Sequence, residues 1–114
     1  MENAHLEYQR QSVKQSSPEE LITKLYDLAI LSCYKKDKAK VREILNTLIK
    51  SLNFEYEISS TLYELYDYCR NILDEDKYDE VKELLEPIRD AWIQEVAQKR
   101  TQNVNLLNNR GFVA

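Results

Sequence analysis

Glycine and histidine are nearly absent from this chain of 114 residues, with Gly111 and His5 as the single examples. Phosphate-binding loops and dinucleotide-binding turns need several glycines, so these sites are excluded. One histidine near the start of the chain does not support a zinc-protease motif, a Cys-His zinc finger or a buried catalytic triad. We therefore expect a protein that is not an enzyme, with no catalytic residues, no cofactor and no metal ion.

Positive charge is scarce over most of the chain. The net charge is −4, from 16 Lys and Arg against 20 Asp and Glu, and removing the +3 of residues 98–114 leaves −7 for residues 1–97. Because an acidic body repels phosphate backbones, nucleic acid is not an expected partner. No apolar run approaches the ~18 residues that span a bilayer, and no signal-peptide pattern opens the chain, so we expect an intracellular protein without membrane insertion. Cys33 and Cys69 are too few and too far apart for a disulfide framework.

Four stretches of the chain carry apolar residues at helical spacing. The stripes are Ile22, Leu25, Tyr26, Ala29 and Cys33; Val41, Ile44, Leu45, Leu48 and Leu52; Ile58, Leu62, Leu65, Cys69, Ile72 and Leu73; and Tyr78, Val81, Leu84, Leu85, Ile88, Trp92 and Val96. Four amphipathic helices with short joins predict an all-α, antiparallel four-helix bundle. We expect one domain over residues 1–98, made of a mobile N-terminal arm (1–16) and the bundle (17–98), followed by a flexible tail (99–114).

Capping residues predict where the helices begin and end. Ser17 and Pro18, followed by two glutamates, are typical of a helix start. A break is predicted near residues 35–37, where Asp37 can cap the second helix, and Asp76 is the candidate cap of the fourth. Pro87 predicts a kink or a restart within that fourth helix.

The sequence contains more apolar side chains than the core of a four-helix bundle requires. Leu21, Leu25 and Leu28 lie on the side of the first helix that is not needed for a stripe through Ile22, Ala29 and Cys33. Tyr63, Tyr66 and Tyr68 cluster on the third helix away from the centre of its stripe. Three interpretations remain open: tyrosine rings that lie flat along the bundle edges, a groove for an amphipathic partner helix, or a face closed by self-association.

Several strings in this order resemble the FliS family of flagellin export chaperones. They are Tyr8-Gln9, Ser12-Val13, the stretches 16–22 and 25–30, Ser51-Leu52-Asn53, the stretch 62–68, and Ile88-Arg89-Asp90-Ala91-Trp92. The resemblance covers about residues 3–96. It departs from the family at Leu28, where a small residue is frequent, and before the third helix, where the usual glycine pair is absent.

The resemblance implies a small helical bundle in the bacterial cytoplasm that binds the disordered C-terminal region of flagellin. It would prevent premature polymerisation and present flagellin to the flagellar type III export apparatus, with the export gate as a further partner. The free protein is expected to be a monomer, and the alternative is a self-associating helical adaptor closed as a homodimer. The candidate flagellin-binding residues are Tyr8, Leu21, Leu25, Leu28, Tyr63, Tyr66, Tyr68 and Trp92.

Overall fold

The computed structural model describes the backbone of residues 17–113 and the side chains of residues 17–98. The described residues form four helices: α1 (Pro18–Tyr34), α2 (Lys38–Lys50), α3 (Glu57–Leu73) and α4 (Tyr78–Val113). α1 packs on α2 and α4, and α3 also packs on α2 and α4, so the helices form a closed ring. The predicted all-α four-helix bundle is confirmed. The predicted N-terminal arm lies outside the described residues.

Three of the four helix starts can be compared with the predicted caps. The side chain of Ser17 accepts a hydrogen bond from the Glu20 N–H at 3.2 Å, and that of Asp37 accepts one from the Lys40 N–H at 3.2 Å, as predicted. The prediction that Asp76 caps α4 is wrong. Asp76 has a left-handed φ of 60° in the turn that ends α3, so its carboxylate is not positioned over the first turn of α4. It forms a salt bridge with Lys38 at 2.6 Å instead.

Helix α4 is longer than the sequence predicted. It is continuous through Pro87 and extends to Val113, so the helix does not restart at the proline, and the backbone of the predicted tail is helical as far as Val113. Proline removes only one backbone hydrogen-bond donor, and the chain contains no further proline and no glycine between Pro87 and Gly111. The flexibility of the tail stays a prediction.

The hairpins α1–α2 and α3–α4 repeat one pattern at a separation of 40 residues. Tyr26 and Tyr66, which are 40 residues apart, are both buried. The string Leu25-Tyr26-Asp27 recurs as Leu65-Tyr66-Asp67, and Val41, Glu43 and Leu45 recur as Val81, Glu83 and Leu85. The bundle is therefore built from two copies of one helical hairpin.

The turns of the two hairpins are also alike. The Lys36 N–H donates to the Cys33 carbonyl and the Asp37 N–H to the Ser32 carbonyl, at 3.0 and 2.9 Å. In the second turn, the Asp76 N–H donates to the Leu73 carbonyl and the Lys77 N–H to the Ile72 carbonyl, at 3.0 and 3.2 Å. This pair of bonds is the Schellman arrangement, which normally places glycine at the left-handed position. Here that position holds Lys36 and Asp76, with φ of 55° and 60°.

Contacts between the hairpins are reciprocal, as at a two-fold axis. In one direction, Tyr34 of the first hairpin lies under the Lys82 Nζ of the second, 3.9 Å from the ring centroid. In the other direction, Asp74 forms a salt bridge with Arg42. Tyr34 and Asp74 occupy equivalent positions of the repeat, 40 residues apart, and so do Arg42 and Lys82. The second contact is therefore the first with the two hairpins exchanged. The Tyr26 and Tyr66 hydroxyls hydrogen-bond to each other at 2.5 Å, so this pair lies on the pseudo-two-fold axis.

The core lies around that tyrosine pair and contains both cysteines. Tyr26 and Cys69 are fully buried, and Tyr66 and Cys33 are almost so. Burial raises the pKa of both tyrosines above the usual value, and it raises the pKa of Cys33 to about 11 and that of Cys69 to about 12. All four groups are thus held in their neutral forms.

Replacing Lys36 with glycine should stabilise the protein by roughly 1 kcal/mol, because glycine adopts the left-handed conformation without the steric cost of a Cβ. Chemical denaturation of the variant and the parent measures the difference. The matched control is Lys35→Gly, one residue earlier, where φ is −80° and glycine brings no such gain. Equal effects of the two substitutions would contradict the assignment of strain to Lys36.

Alkaline pH should destabilise the bundle. The four groups have higher pKa values in the folded than in the unfolded protein, so their contribution to stability is complete below about pH 9 and decreases as pH rises towards 11–12. Each group that ionises only in the unfolded chain lowers the free energy of unfolding by roughly 1.4 kcal/mol per pH unit. Urea titrations between pH 7 and 11 with a reductant test this. Cys69→Ala removes one group, so its decline should be shallower; a flat profile would contradict the prediction.

Candidate functional site

An apolar groove runs between α3 and α4, with a volume of about 830 Å³. We call it the α3–α4 groove. Its lining is mainly hydrophobic and consists of Glu19, Ile58, Thr61, Leu62, Leu65, Pro87, Ile88, Ala91, Trp92 and Glu95. Apolar clefts of this size are typical of binding sites rather than of packing defects.

The groove opens because α4 packs unequally on its two neighbours. α4 packs most extensively on α1 and least on α3, although α3 and α4 are joined by a short turn. The equivalent pair in the first hairpin, α1 and α2, packs more closely. The consequence is visible at equivalent positions of the repeat: Leu48 is 1% exposed, whereas Ile88 is only partly buried and lines the groove.

The dimensions of the groove fit a short helical segment. Its walls extend over residues 58–65 of α3 and 87–95 of α4. At 1.5 Å per residue, this corresponds to roughly 10–12 Å, or about two helical turns. An amphipathic helix would present about three apolar side chains over that length, at i, i+3 or i+4, and i+7.

Exposed apolar side chains extend this surface beyond the groove at the start of α3. Ile58 is 60% exposed, and Phe54 and Tyr56 in the preceding loop are exposed as well. The Phe54 ring packs edge-on against Tyr63 with centroids 6.3 Å apart. Exposed aromatic side chains therefore lie in the loop that leads to Ile58, the first lining residue of α3.

A second apolar surface lies on α1. Leu28 and Leu31 are 40% and 47% exposed. Near the other end of α1, a smaller hollow of about 480 Å³ separates it from α4, lined by Glu20, Thr23, Lys24, Ile93, Val96 and Ala97. Neither surface shares a lining residue with the α3–α4 groove, so the described residues offer more than one place for an apolar partner.

The chemistry of these surfaces suits binding. Within residues 17–98, no group of His, Cys, Asp and Glu side chains could hold a metal ion. Cys33 and Cys69 are buried, and their raised pKa values keep both thiols protonated at neutral pH, which makes them poor nucleophiles. No described helix is long and apolar enough to cross a membrane.

Comparison with known families decides the assignment. A family model described as "Flagellar protein FliS" matches residues 34–100, which is more than half of the chain. The chain belongs to the FliS family. This is a family of flagellar export chaperones, not of enzymes. No curated protein and no solved structure gives a significant match.

The FliS match includes α2, α3 and the part of α4 that forms the groove. Both main walls of the α3–α4 groove therefore lie in the segment that defines the family membership. The strings of residues 8–30, which carry much of the resemblance in the sequence, lie outside the matched residues. α1 belongs to the same bundle but contributes only Glu19 to the groove.

The structure distributes the predicted site residues over several environments. Trp92 lines the α3–α4 groove, and it is partly buried and packs against the core. Tyr63 and Tyr68 are exposed but do not line the groove; Tyr68 donates a hydrogen bond to Glu80 at 2.9 Å. Tyr66 is 2% exposed, so it is not at the surface, either as the candidate binding residue that the sequence indicated or as a ring along the bundle edge. It faces inwards because its hydroxyl is satisfied by Tyr26.

The predicted residues of α1 do not form one surface. Leu28 is exposed, whereas Leu21 and Leu25 are half-buried and Leu25 packs against the core. Tyr8 lies outside the described residues. Of the seven predicted residues that the structure describes, only Trp92 thus lines the α3–α4 groove.

The sequence analysis assigned the main groove residues to the core. Ile58, Leu62, Leu65 and Ile88 continue the apolar stripes of α3 and α4, and helical spacing cannot distinguish a packed stripe from one that is left open. The signal in the sequence that could have found the groove was the internal repeat, because it shows where the two hairpins differ. Pro87 and Ala91, which line the groove, stand at the positions that Thr47 and Ser51 occupy in the first hairpin.

Proposed function

We propose that this FliS-family protein binds the C-terminal region of flagellin in the bacterial cytoplasm. A short amphipathic helix of flagellin occupies the α3–α4 groove, which keeps flagellin from polymerising prematurely. The complex is then presented to the flagellar type III export apparatus, with the export gate as a further partner. The observation that supports this proposal is the open apolar groove within the segment that matches the family.

The size of the groove indicates that it is not the whole interface. Three buried apolar side chains of the partner contribute about 6 kcal/mol at about 2 kcal/mol each. Ordering a disordered segment costs about 2–5 kcal/mol of this. A micromolar Kd requires about 8 kcal/mol, so additional contacts are needed.

The exposed surfaces outside the groove are the candidates for these contacts. They include the α1 surface around Leu28, with Leu21 and Leu25 at its edge, and the exposed rings of Tyr63 and Tyr68. Tyr8 in the N-terminal arm remains a proposed contact. A flagellin segment that wraps around the bundle would reach both α1 and the α3–α4 groove.

Self-association is the alternative way to cover these surfaces. A homodimer closed through the same apolar side chains would leave no groove for flagellin. Light scattering of the free protein over a range of concentrations distinguishes the two, because the chaperone is expected to be a monomer.

Titration calorimetry with the C-terminal segment of flagellin tests the proposed function. We expect a 1:1 complex with a negative heat-capacity change, as apolar burial with coupled folding requires. Ile58→Asp should weaken binding more than tenfold, because it places a charge in the groove. Its free energy of unfolding should change by less than about 0.5 kcal/mol, because Ile58 is exposed.

The control for that titration is Ala39→Asp, which adds the same charge on an exposed position of α2 at the other end of the bundle and should bind normally. Leu28→Asp tests the α1 contact in the same assay, and we expect about tenfold weaker binding. Absence of binding at micromolar concentrations would overturn the proposed function. If the Ile58→Asp variant binds flagellin as tightly as the parent protein, flagellin does not occupy the α3–α4 groove.

A further inference from the structure

The α2–α3 link (residues 51–56), which joins the two hairpins, has the properties of a hinge. The hydrogen bonds that shape it are local. The Tyr56 N–H and the Ser59 hydroxyl both donate to the Asn53 carbonyl, at 3.1 and 2.6 Å, and the Glu55 N–H donates to the Asn53 side chain at 3.0 Å. The two left-handed residues of the described chain lie in the turns within the hairpins, not in the link. The link can therefore straighten while each hairpin keeps its own turn.

The link also carries apolar surface that a single chain leaves exposed. Phe54 and Tyr56 lie in the link, Ile58 follows in the first turn of α3, and each of the three is more than half exposed. When two chains exchange an element, their hinge segments lie close to the two-fold axis of the dimer. An exchange at this link would bring two such sets of side chains together, so apolar surface would be buried that one chain alone leaves in water.

The packing between the two hairpins can equally be made by two chains. α1 packs on α4 and α2 packs on α3, so both of these contacts join the first hairpin to the second. Two ion pairs join the turns: Lys38 with Asp76 at 2.6 Å, and Arg42 with Asp74. The α3–α4 hairpin of another copy presents the same partners in the same arrangement. An exchange therefore re-forms the core of the bundle.

The charges of the two turns decide which hairpins pair. Residues 34–42 contain five basic residues and one acidic residue, whereas residues 74–82 contain five acidic and two basic residues. By the two-fold relation, two first hairpins would place Lys38 against Lys36, instead of against Asp76. Two second hairpins would bring two acidic turns together. The charges therefore favour a first hairpin with a second hairpin, whichever chain supplies it.

We propose that two copies of this chain exchange hairpins and form a closed dimer, with the α2–α3 link as the hinge. The α1–α2 hairpin of each chain packs on the α3–α4 hairpin of the other through the contacts of the monomer. The monomer remains the main form in dilute solution, because the core contacts are shared and association costs entropy. Once formed, the dimer dissociates slowly, because its hairpins must separate first.

This dimer differs from a homodimer closed through the α3–α4 groove. The lining of each groove apart from Glu19 belongs to a single hairpin, so both grooves stay open and Glu19 is supplied by the other chain. The inference does not depend on the proposed function.

Two charge-reversed variants of the full-length chain test the exchange. One carries Lys38→Glu and Arg42→Glu, and the other carries Asp74→Lys and Asp76→Lys. In each variant alone, both ion pairs become like-charge contacts. In a dimer exchanged between the two variants, all four contacts attract again. At about fivefold per exposed ion pair, we expect the mixed dimer to be roughly 100-fold or more tighter than the dimer of the parent chain.

The variants are refolded together from urea at high protein concentration, and the products are identified by light scattering and native mass spectrometry. We expect a 1:1 mixed dimer as the main product. Each variant refolded alone should give little dimer. The matched control is the single chain with all four substitutions, which should refold as a monomer because its reversed pairs are satisfied within one chain.

Two results would overturn the inference. One is a mixture without the mixed dimer while the chain with four substitutions folds. The other is a mixed dimer that dissociates within minutes in about 500 mM salt, because screening separates oppositely charged surfaces but not exchanged hairpins. Neither result bears on flagellin binding, which the titration of the parent chain and Ile58→Asp decides.

Discussion

The hydrogen bond between the Tyr26 and Tyr66 hydroxyls connects the two halves of this molecule. It lies in the core, where neither hydroxyl can reach bulk water, so each ring depends on the other to satisfy its polar atom. The equivalent positions of the two hairpins meet there, and the reciprocal contacts of Tyr34 with Lys82 and of Asp74 with Arg42 follow from the same two-fold relation. The arrangement of all four helices depends on this central pair.

The groove arises where the two halves differ. α2 ends at Lys50, but α4 continues far beyond the equivalent residue and packs along α1. α4 cannot pack equally well on α3, and the apolar side chains between them remain partly open. The open groove thus accompanies unequal helix lengths in an otherwise repeated fold.

Much of the fold was predictable from the sequence, because helical periodicity and capping chemistry are local. The caps at Ser17 and Asp37 and the break after Tyr34 were found in this way. The true role of Asp76 was not, since a left-handed residue other than glycine has no sequence signal of its own. The extent of α4 was missed because the stretch after residue 98 lacks an apolar stripe.

The candidate site was less predictable, because the packing between distant segments decides whether an apolar stripe is buried or left accessible. Trp92 was among the candidate binding residues, but Tyr66 was placed outside the core because it lies away from the centre of the apolar stripe of α3. Its hydroxyl partner Tyr26 is 40 residues away, so local periodicity does not reveal the pair. Ile58 and Ile88 have the spacing of core residues, and only the uneven packing of α4 leaves them accessible. The internal repeat, with its recurring Leu-Tyr-Asp string, was the feature of the sequence that linked the two hairpins.

The two-fold relation within a single chain has an evolutionary consequence. In a symmetric dimer of identical hairpins, every substitution appears twice, so a groove opened on one side is also opened on the other and the core is weakened at both. A chain that carries both hairpins is free of this coupling. One half can keep the close packing that maintains stability while the other diverges, and Pro87 and Ala91 lie in the half that carries the open groove.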